Sequence, residues 1–249
     1  MSSATNRKNM IKDQEIFSNS RSNQMRRSSS QPHLDAIREK LLPMVLADAA
    51  FDGWTEPVLS KATKALEMHP GEVELALPGG ITDLIRYWAQ INDQAMLDAW
   101  EQAEPDAMRI REKATFLVRT RIEVIGSQNR EAARRAMARL ALPGSGVSAI
   151  KLAWASADAM WRAMNDQSTD YNYYTKRIIL SGVLTSTLSV WLHGDEDKAW
   201  AFLDRRIGNV MQFEGFKAKM RKQSKSWPDP AKWMGRARYG RGRARPRRM

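Results

Sequence analysis

From residue 34 to about residue 222, apolar side chains recur at three- and four-residue steps, and Pro and Gly interrupt them at short intervals. No strand-length window alternates apolar and polar with period two. Each segment can therefore bury a stripe along a helix but not one face of a sheet. The chain is expected to be all-α, with about nine helices. The first, 34–50, follows Pro32. Phe51-Asp52-Gly53-Trp54-Thr55 reads as a turn, with Thr55 as N-cap before Glu56-Pro57. The second helix ends near Met68, and a short third, 72–77, is closed by Pro78-Gly79-Gly80. Segment 82–103 follows, with Leu84, Tyr87, Trp88, Ile91 and Ala95 expected on its buried face. Segments 107–125, 129–142, 147–164, 172–192 and 195–222 complete the set.

Two of these helices read as the centre of the bundle. In 147–164, Ile150, Trp154, Ala157, Trp161 and Met164 recur at helical steps. In 172–192 apolar residues surround the helix, while Ser181, Thr185 and Ser189 form a stripe of small residues. Periodicity alone reads as core packing. Small residues opposite Trp and Met can also leave room for an apolar ligand. The candidate lining is Trp88, Trp154, Trp161, Leu184, Leu188 and Trp191.

The chemistry-bearing residue types narrow the function. Among 249 residues there is no Cys, which removes disulfides, thiolate metal sites and cysteine catalysis and fits a reducing compartment. His33, His69 and His193 are far apart, and no phosphate-binding Gly-rich loop opens a helix. No paired carboxylates stand at metal-ligand spacing and no nucleophile motif occurs, so neither an enzyme nor a bound metal or cofactor is expected. No uncharged stretch is long and apolar enough to span a bilayer.

The formal charge of +12 suggests a polyanionic partner, but its distribution matters more. Residues 1–33 carry +4 and residues 215–249 carry +12, whereas 34–214 carries −4. The organisation is read as a Ser-rich basic tail (1–33), a helix-turn-helix-like segment (34–80), a helical ligand- and partner-binding domain (81–223) and a Trp/Arg-rich basic tail (224–249). Both tails are too polar to bury a core and are expected to be disordered. The first three helices have the layout of a TetR-type DNA reader, yet residues 34–80 hold four Lys/Arg against eight acids. Glu72 and Glu74 on the third helix would face phosphates at close range, so this unit is read as degenerate and no specific DNA binding is expected.

The segment Asp166-Gln-Ser-Thr-Asp-Tyr-Asn-Tyr-Tyr-Thr-Lys-Arg177 closely resembles the signature of the ubiquinone-biosynthesis accessory family, the ninth coenzyme Q biosynthesis protein. Phe51-Asp52-Gly53-Trp54 with Pro78-Gly79-Gly80, Leu140-Ala141-Leu142-Pro143-Gly144, and Trp200-Ala201-Phe202-Leu203-Asp204-Arg205-Arg206-Ile207 resemble further family segments in order. The resemblance covers roughly residues 34–214 and implies a TetR-like helical bundle that binds lipid without binding DNA. It implies a homodimeric carrier, which takes isoprenoid quinone intermediates or a phospholipid and presents the quinone to a di-iron quinone-ring hydroxylase. The family's hydroxylase patch falls on Asp158, Met160, Asp170, Tyr173, Tyr174 and Arg177, with Tyr173 where many members have Trp. Within it Asp170 can hold Arg177 in place, and Thr169 or Asp170 can cap the helix.

Eukaryotic-type members place a membrane-inserting amphipathic helix after the last core helix. Here Phe213, Phe216 and Met220 continue such a face briefly, and Trp227, Trp233 and Tyr239 then stand among basic residues. Aromatics with polybasic charge suit an anionic membrane surface. Arg238-Tyr239-Gly240-Arg241-Gly242-Arg243 also resembles an RNA-binding Arg/Gly segment. The expected location is cytoplasmic, peripheral on the inner face of the membrane, with the matrix face of the mitochondrial inner membrane as the alternative. The rival function is a TetR-like transcriptional regulator with an apolar effector.

Overall fold

The computed structural model describes residues 32–143, 146–168 and 170–225, with side chains through residue 210 except at 146–148, 170 and 171. Both basic tails, the proposed Thr169 cap and the Phe213, Phe216 and Met220 face lie outside what is described. Among the described residues every regular element is helical: α1 (32–52), α2 (Glu56–Ala65), α3 (Pro70–Ala76), α4 (Ile81–Gln102), α5 (Ile110–Glu123), α6 (Arg130–Leu140), α7 (Gly146–Ala163), α8 (Asp170–Trp191) and α9 (Glu196–Lys225). Short 3₁₀ turns precede α5 and α6. No described helix is long and apolar enough to cross a membrane.

Punctuation places the boundaries. Pro57 lies in the first turn of α2, where a missing N–H is harmless. Thr55 is the N-cap residue of α2, but its side chain makes no capping bond, contrary to the sequence expectation. The neighbouring carboxylate serves a different helix: Glu56 Oε1 accepts from Ile81 N at 3.0 Å and so caps α4 from across the chain. Gly80 makes that approach possible. Its φ is +61°, and a Cβ there would lie 2.5 Å from Glu56 Oε1. Trp54 then fastens α1–α3 to the bundle. It is buried, donates from Nε1 to Ala132 O at 2.8 Å and stacks on Trp88 with ring centroids 5.4 Å apart.

The bundle behind this anchor packs α7 on α8, α8 on α9, α4 on α7 and α5 on α9. The buried face of α4 is Leu84, Ile85, Trp88, Asn92, Met96 and Trp100. The expected stripe is thus turned by part of a helical step, and Ile91 faces outward. The polar Asn92 hides the true stripe from an apolar-only pattern. In α7 the buried residues are Ser156, Ala157, Asp158 and Met160, while Ile150, expected in the core, is 71% exposed. Helix α8 is less enclosed than its composition implies, since Tyr174, Ile178 and Ser189 are exposed. Of its small-residue stripe, Ser181 Oγ donates to Arg177 O and Ala153 O, and only Thr185 reaches a cavity.

Candidate functional site

Where α7 and α8 run side by side, charge is concentrated in a nearly dry seam. Arg177 is only 2% exposed. Its Nε donates to Asp158 Oδ1 at 2.5 Å, and its Nη1 donates to Tyr173 O at 3.1 Å and Asp166 Oδ2 at 3.4 Å. Its guanidinium also lies 3.4 Å from the Tyr173 ring centroid. Lys176 Nζ donates to Asp166 Oδ1 at 2.6 Å, Tyr173 Oη donates to Asp158 Oδ1 at 3.2 Å, and Arg162 pairs with Asp158 from the solvent side. Burial pushes the Asp158 carboxyl up, but the Arg177 hydrogen bond, the Arg162 charge and the Tyr173 hydroxyl outweigh it and hold it below the usual carboxylate range. Asp166 is likewise raised by burial and brought below that range by Lys176 and Ser168. The seam fixes the turn between α7 and α8 against both helices.

Its outer edge is aromatic and aliphatic. Tyr174 is 59% exposed, packs edge-on to Tyr173 at 5.2 Å and lies 6.0 Å from Trp154. Ile178, one turn further along α8, is 61% exposed. The patch expected from sequence thus divides. Tyr174 reaches solvent and Tyr173 is half-buried, whereas Met160 and Arg177 are enclosed and Asp158 is buried. Direct contact with a partner requires exposure that Met160 and Arg177 do not have. The Arg177 guanidinium is held by Asp158 and Asp166 of its own chain, and the Asp170 side chain lies outside the described residues.

Two cavities with mainly apolar walls adjoin α7 and α8, and the larger is bordered by Asp166 and Lys176 of the seam. The smaller, about 160 Å³, lies among α4, α5, α6, α7 and α8 and includes Trp88, Leu184 and Leu188 from the expected lining. The larger, about 390 Å³, lies among α5, α7, α8 and α9 and includes Trp161, with Ile179, Val183 and Ile207. Trp154 lines neither, because it packs against the tyrosines. Trp191 lines neither, because it is buried under the Arg130 guanidinium at 4.4 Å. Sequence reasoning missed the polar members of the smaller cavity, Asn92, Arg121 and Ser156. The available signal was Arg121 between Val118 and Ile122 on an otherwise apolar face. Among the described residues no group of three or more His, Asp or Glu could hold a metal ion.

Fold and site together define an all-α bundle with internal, mainly apolar space among the described residues. Residues 147–214, from α7 through the seam to α9, match the COQ9 family model. The chain is 27% identical over 190 residues to ubiquinone biosynthesis protein COQ9-B, mitochondrial, of Xenopus laevis, covering 71% of this chain and 63% of that protein. Against the Rattus norvegicus and Homo sapiens COQ9 proteins, also named mitochondrial, identity is 27% over 188 residues and 25% over 186. The match covers 71% of this chain in both and 59% and 58% of those proteins, so the chain spans roughly three-fifths of the curated relatives it matches.

Proposed function

We propose that this chain is a non-enzymatic lipid-binding accessory protein of ubiquinone biosynthesis. It takes isoprenoid quinone intermediates from the membrane and presents them to a di-iron quinone-ring hydroxylase. The observation that carries the reading is the pair of apolar cavities, both bounded by α7 and α8 inside the COQ9-matching region. Energetics support it. An isoprene unit has about five carbons, and each buried CH₂-like group is worth ~0.8 kcal/mol, so bringing a polyprenyl tail through water costs tens of kcal/mol. A carrier avoids that cost by working on the membrane surface and lining its own cavity with apolar side chains. The relatives are named mitochondrial, which suits work on a membrane of that organelle, and the same chemistry serves the inner face of a bacterial membrane. The TetR-like kinship, the homodimer and the peripheral attachment through the basic tail belong to the same proposal.

In this reading the hydroxylase meets Tyr174 and Ile178, and Arg177 works from behind. By holding Asp158, Asp166 and the Tyr173 ring it fixes the surface that Tyr174 presents. The test of the carrier is mass spectrometry of lipids co-purified with the full chain. Polyprenylated phenols or quinones in stoichiometric amount are expected. A protein devoid of lipid that instead shifts duplex DNA sequence-selectively would establish the regulator reading in its place.

A further inference from the structure

The larger cavity and the exposed face at Tyr174 share a wall. Trp161, Asp166 and Lys176 line the cavity and also belong to the seam. Trp161 Nε1 donates to Lys176 O at 3.1 Å, and the Lys176 ammonium lies 4.9 Å from the Trp161 ring centroid. Lys176 Nζ donates to Asp166 Oδ1 at 2.6 Å and to Ser168 Oγ at 2.5 Å. The other Asp166 oxygen accepts from Arg177, which lies on the Tyr173 ring, and Tyr174 packs against that ring. A chain of contacts thus leads from the cavity wall to the exposed tyrosine. The smaller cavity includes none of Trp161, Asp166 and Lys176. Two links of the chain are loose. Lys176 keeps 38% of its side chain exposed, so water competes for its ammonium. The Arg177–Asp166 contact is 3.4 Å, against 2.5 Å for Arg177–Asp158.

We infer that Lys176 is the positioning residue through which an occupant of the larger cavity strengthens hydroxylase docking at Tyr174, so that the loaded carrier is the form the partner prefers. An occupant covers the Lys176 stem and the Trp161 ring and displaces water from the cavity mouth. In drier surroundings the attraction between ammonium and carboxylate is stronger, which fixes Asp166 and, through it, Arg177. Docking needs the same order from the other side, because Tyr174 is presented on the Tyr173 ring that Arg177 holds. Both binding events therefore order the same side chains, and the second meets a smaller entropic cost. Linkage makes the effect mutual, so a docked hydroxylase tightens the hold on the ligand by the same factor. An empty carrier then competes poorly for the enzyme. This rests on the proposed reading of the cavity as a ligand site and of Tyr174 as a partner contact.

The test is calorimetric titration of the di-iron hydroxylase into the full chain stripped of lipid, without and with a saturating cavity probe. A ring with a short chain suits a space of about 390 Å³, so 4-octylphenol serves, with saturation set for each variant by its own titration. For wild type, loading should lower the Kd of the hydroxylase by about fivefold or more. Loading should also slow hydrogen exchange of the backbone amides of residues 172–178. Lys176→Met keeps the stem and removes the charge. Its loaded and empty Kd values should agree and its exchange should not respond to the probe, whereas Lys176→Arg should restore both responses. A merely structural residue would shift the two Kd values together and leave their ratio unchanged. Should Met not fold by circular dichroism, Lys176→Gln gives the same comparison. Equal Kd values for loaded and empty wild type, or a ratio that survives the loss of charge, overturn the inference and leave the carrier reading standing. Wild type that takes up no probe overturns the cavity reading as well, and a hydroxylase that binds neither form overturns the partner reading.

Discussion

Removing the Arg177 guanidinium would leave Asp158 and Asp166 in a largely buried seam with only Arg162 and Lys176 to balance them. Breaking a buried pair from one side costs ~3–5 kcal/mol, and the two remaining cations place Arg177→Ala near the lower end. Urea denaturation at neutral pH measures it, and a loss below ~1 kcal/mol would mean that the seam is wetter than its geometry. The pH dependence has a definite sign. Both carboxyls are held below the usual range when folded, so their contribution is present above the unfolded carboxylate value and is lost as pH falls through the depressed folded values. Wild-type stability should therefore drop on going below about pH 4, and Arg177→Ala should drop less steeply, as urea midpoints taken from neutral to strongly acid pH would record. Tyr174 stands three residues away and behaves oppositely. At 59% exposure its truncation leaves the seam intact. Tyr174→Ala should keep the circular dichroism spectrum and melting temperature while weakening hydroxylase co-purification by ~2 kcal/mol. Unchanged partner binding by the folded variant would remove Tyr174 from the interface.

At the scale of elements, the junction of α2 and α4 is the most exacting local arrangement. A methyl group at Gly80 meets a positive φ and the Glu56 carboxylate that caps Ile81. Glu56 can swing away, but only by giving up that cap. Gly80→Ala should cost ~1–3 kcal/mol from backbone strain, and Glu56→Ala ~1 kcal/mol from the lost cap, both read as shifts in urea midpoint. The two losses should be less than additive, since relief of the clash already breaks the bond. This turn was legible as a turn because Pro78-Gly79-Gly80 cannot continue a helix, and the same reasoning placed the nine helices of the described residues to within a few residues. The faces were less legible. Spacing says which residues are neighbours but not which side of the row is turned inward. Ile150, expected in the core, is therefore exposed, and Asn92, absent from the expected stripe, is buried. Arg177 suffered the same ambiguity, since an arginine among tyrosines suits a partner surface and a buried ion pair equally. Asp158 and Asp166, far enough upstream to sit on another helix and a turn, decide between them. The polar corner of the small cavity was illegible for a related reason. Asn92, Arg121 and Ser156 come from three helices, and their convergence is a product of packing.

For the whole molecule, charge is partitioned between a mildly acidic bundle and basic ends, and the two halves should answer to different partners. Residues 34–80 carry four bases against eight acids, so a fragment of residues 34–214 should not shift duplex DNA at moderate salt, while full-length protein shows at most salt-sensitive, sequence-independent binding. Sequence-selective binding by the fragment would reverse the carrier assignment. The other half of the argument concerns the stretch from residue 215, where thirteen Lys/Arg face one acid and are joined by Trp227, Trp233 and Tyr239. Each Lys/Arg near an anionic bilayer is worth ~1 kcal/mol, and interfacial tryptophans add apolar anchoring that salt does not screen. Deleting residues 224–249 removes nine of the thirteen bases and all three aromatics. Even partial engagement makes the expected loss of affinity for phosphatidylserine-containing vesicles tenfold or more. Vesicles of phosphatidylcholine alone should discriminate far less between the two proteins, because only the aromatic contribution remains. Co-sedimentation across a salt series measures both effects, with thermal melting as the control that the bundle is unchanged. Vesicle binding that survives the deletion while RNA binding disappears would assign the tail to nucleic acid. Absence of both in the full chain would leave the cavities to draw their ligand from the membrane without help from this end of the chain.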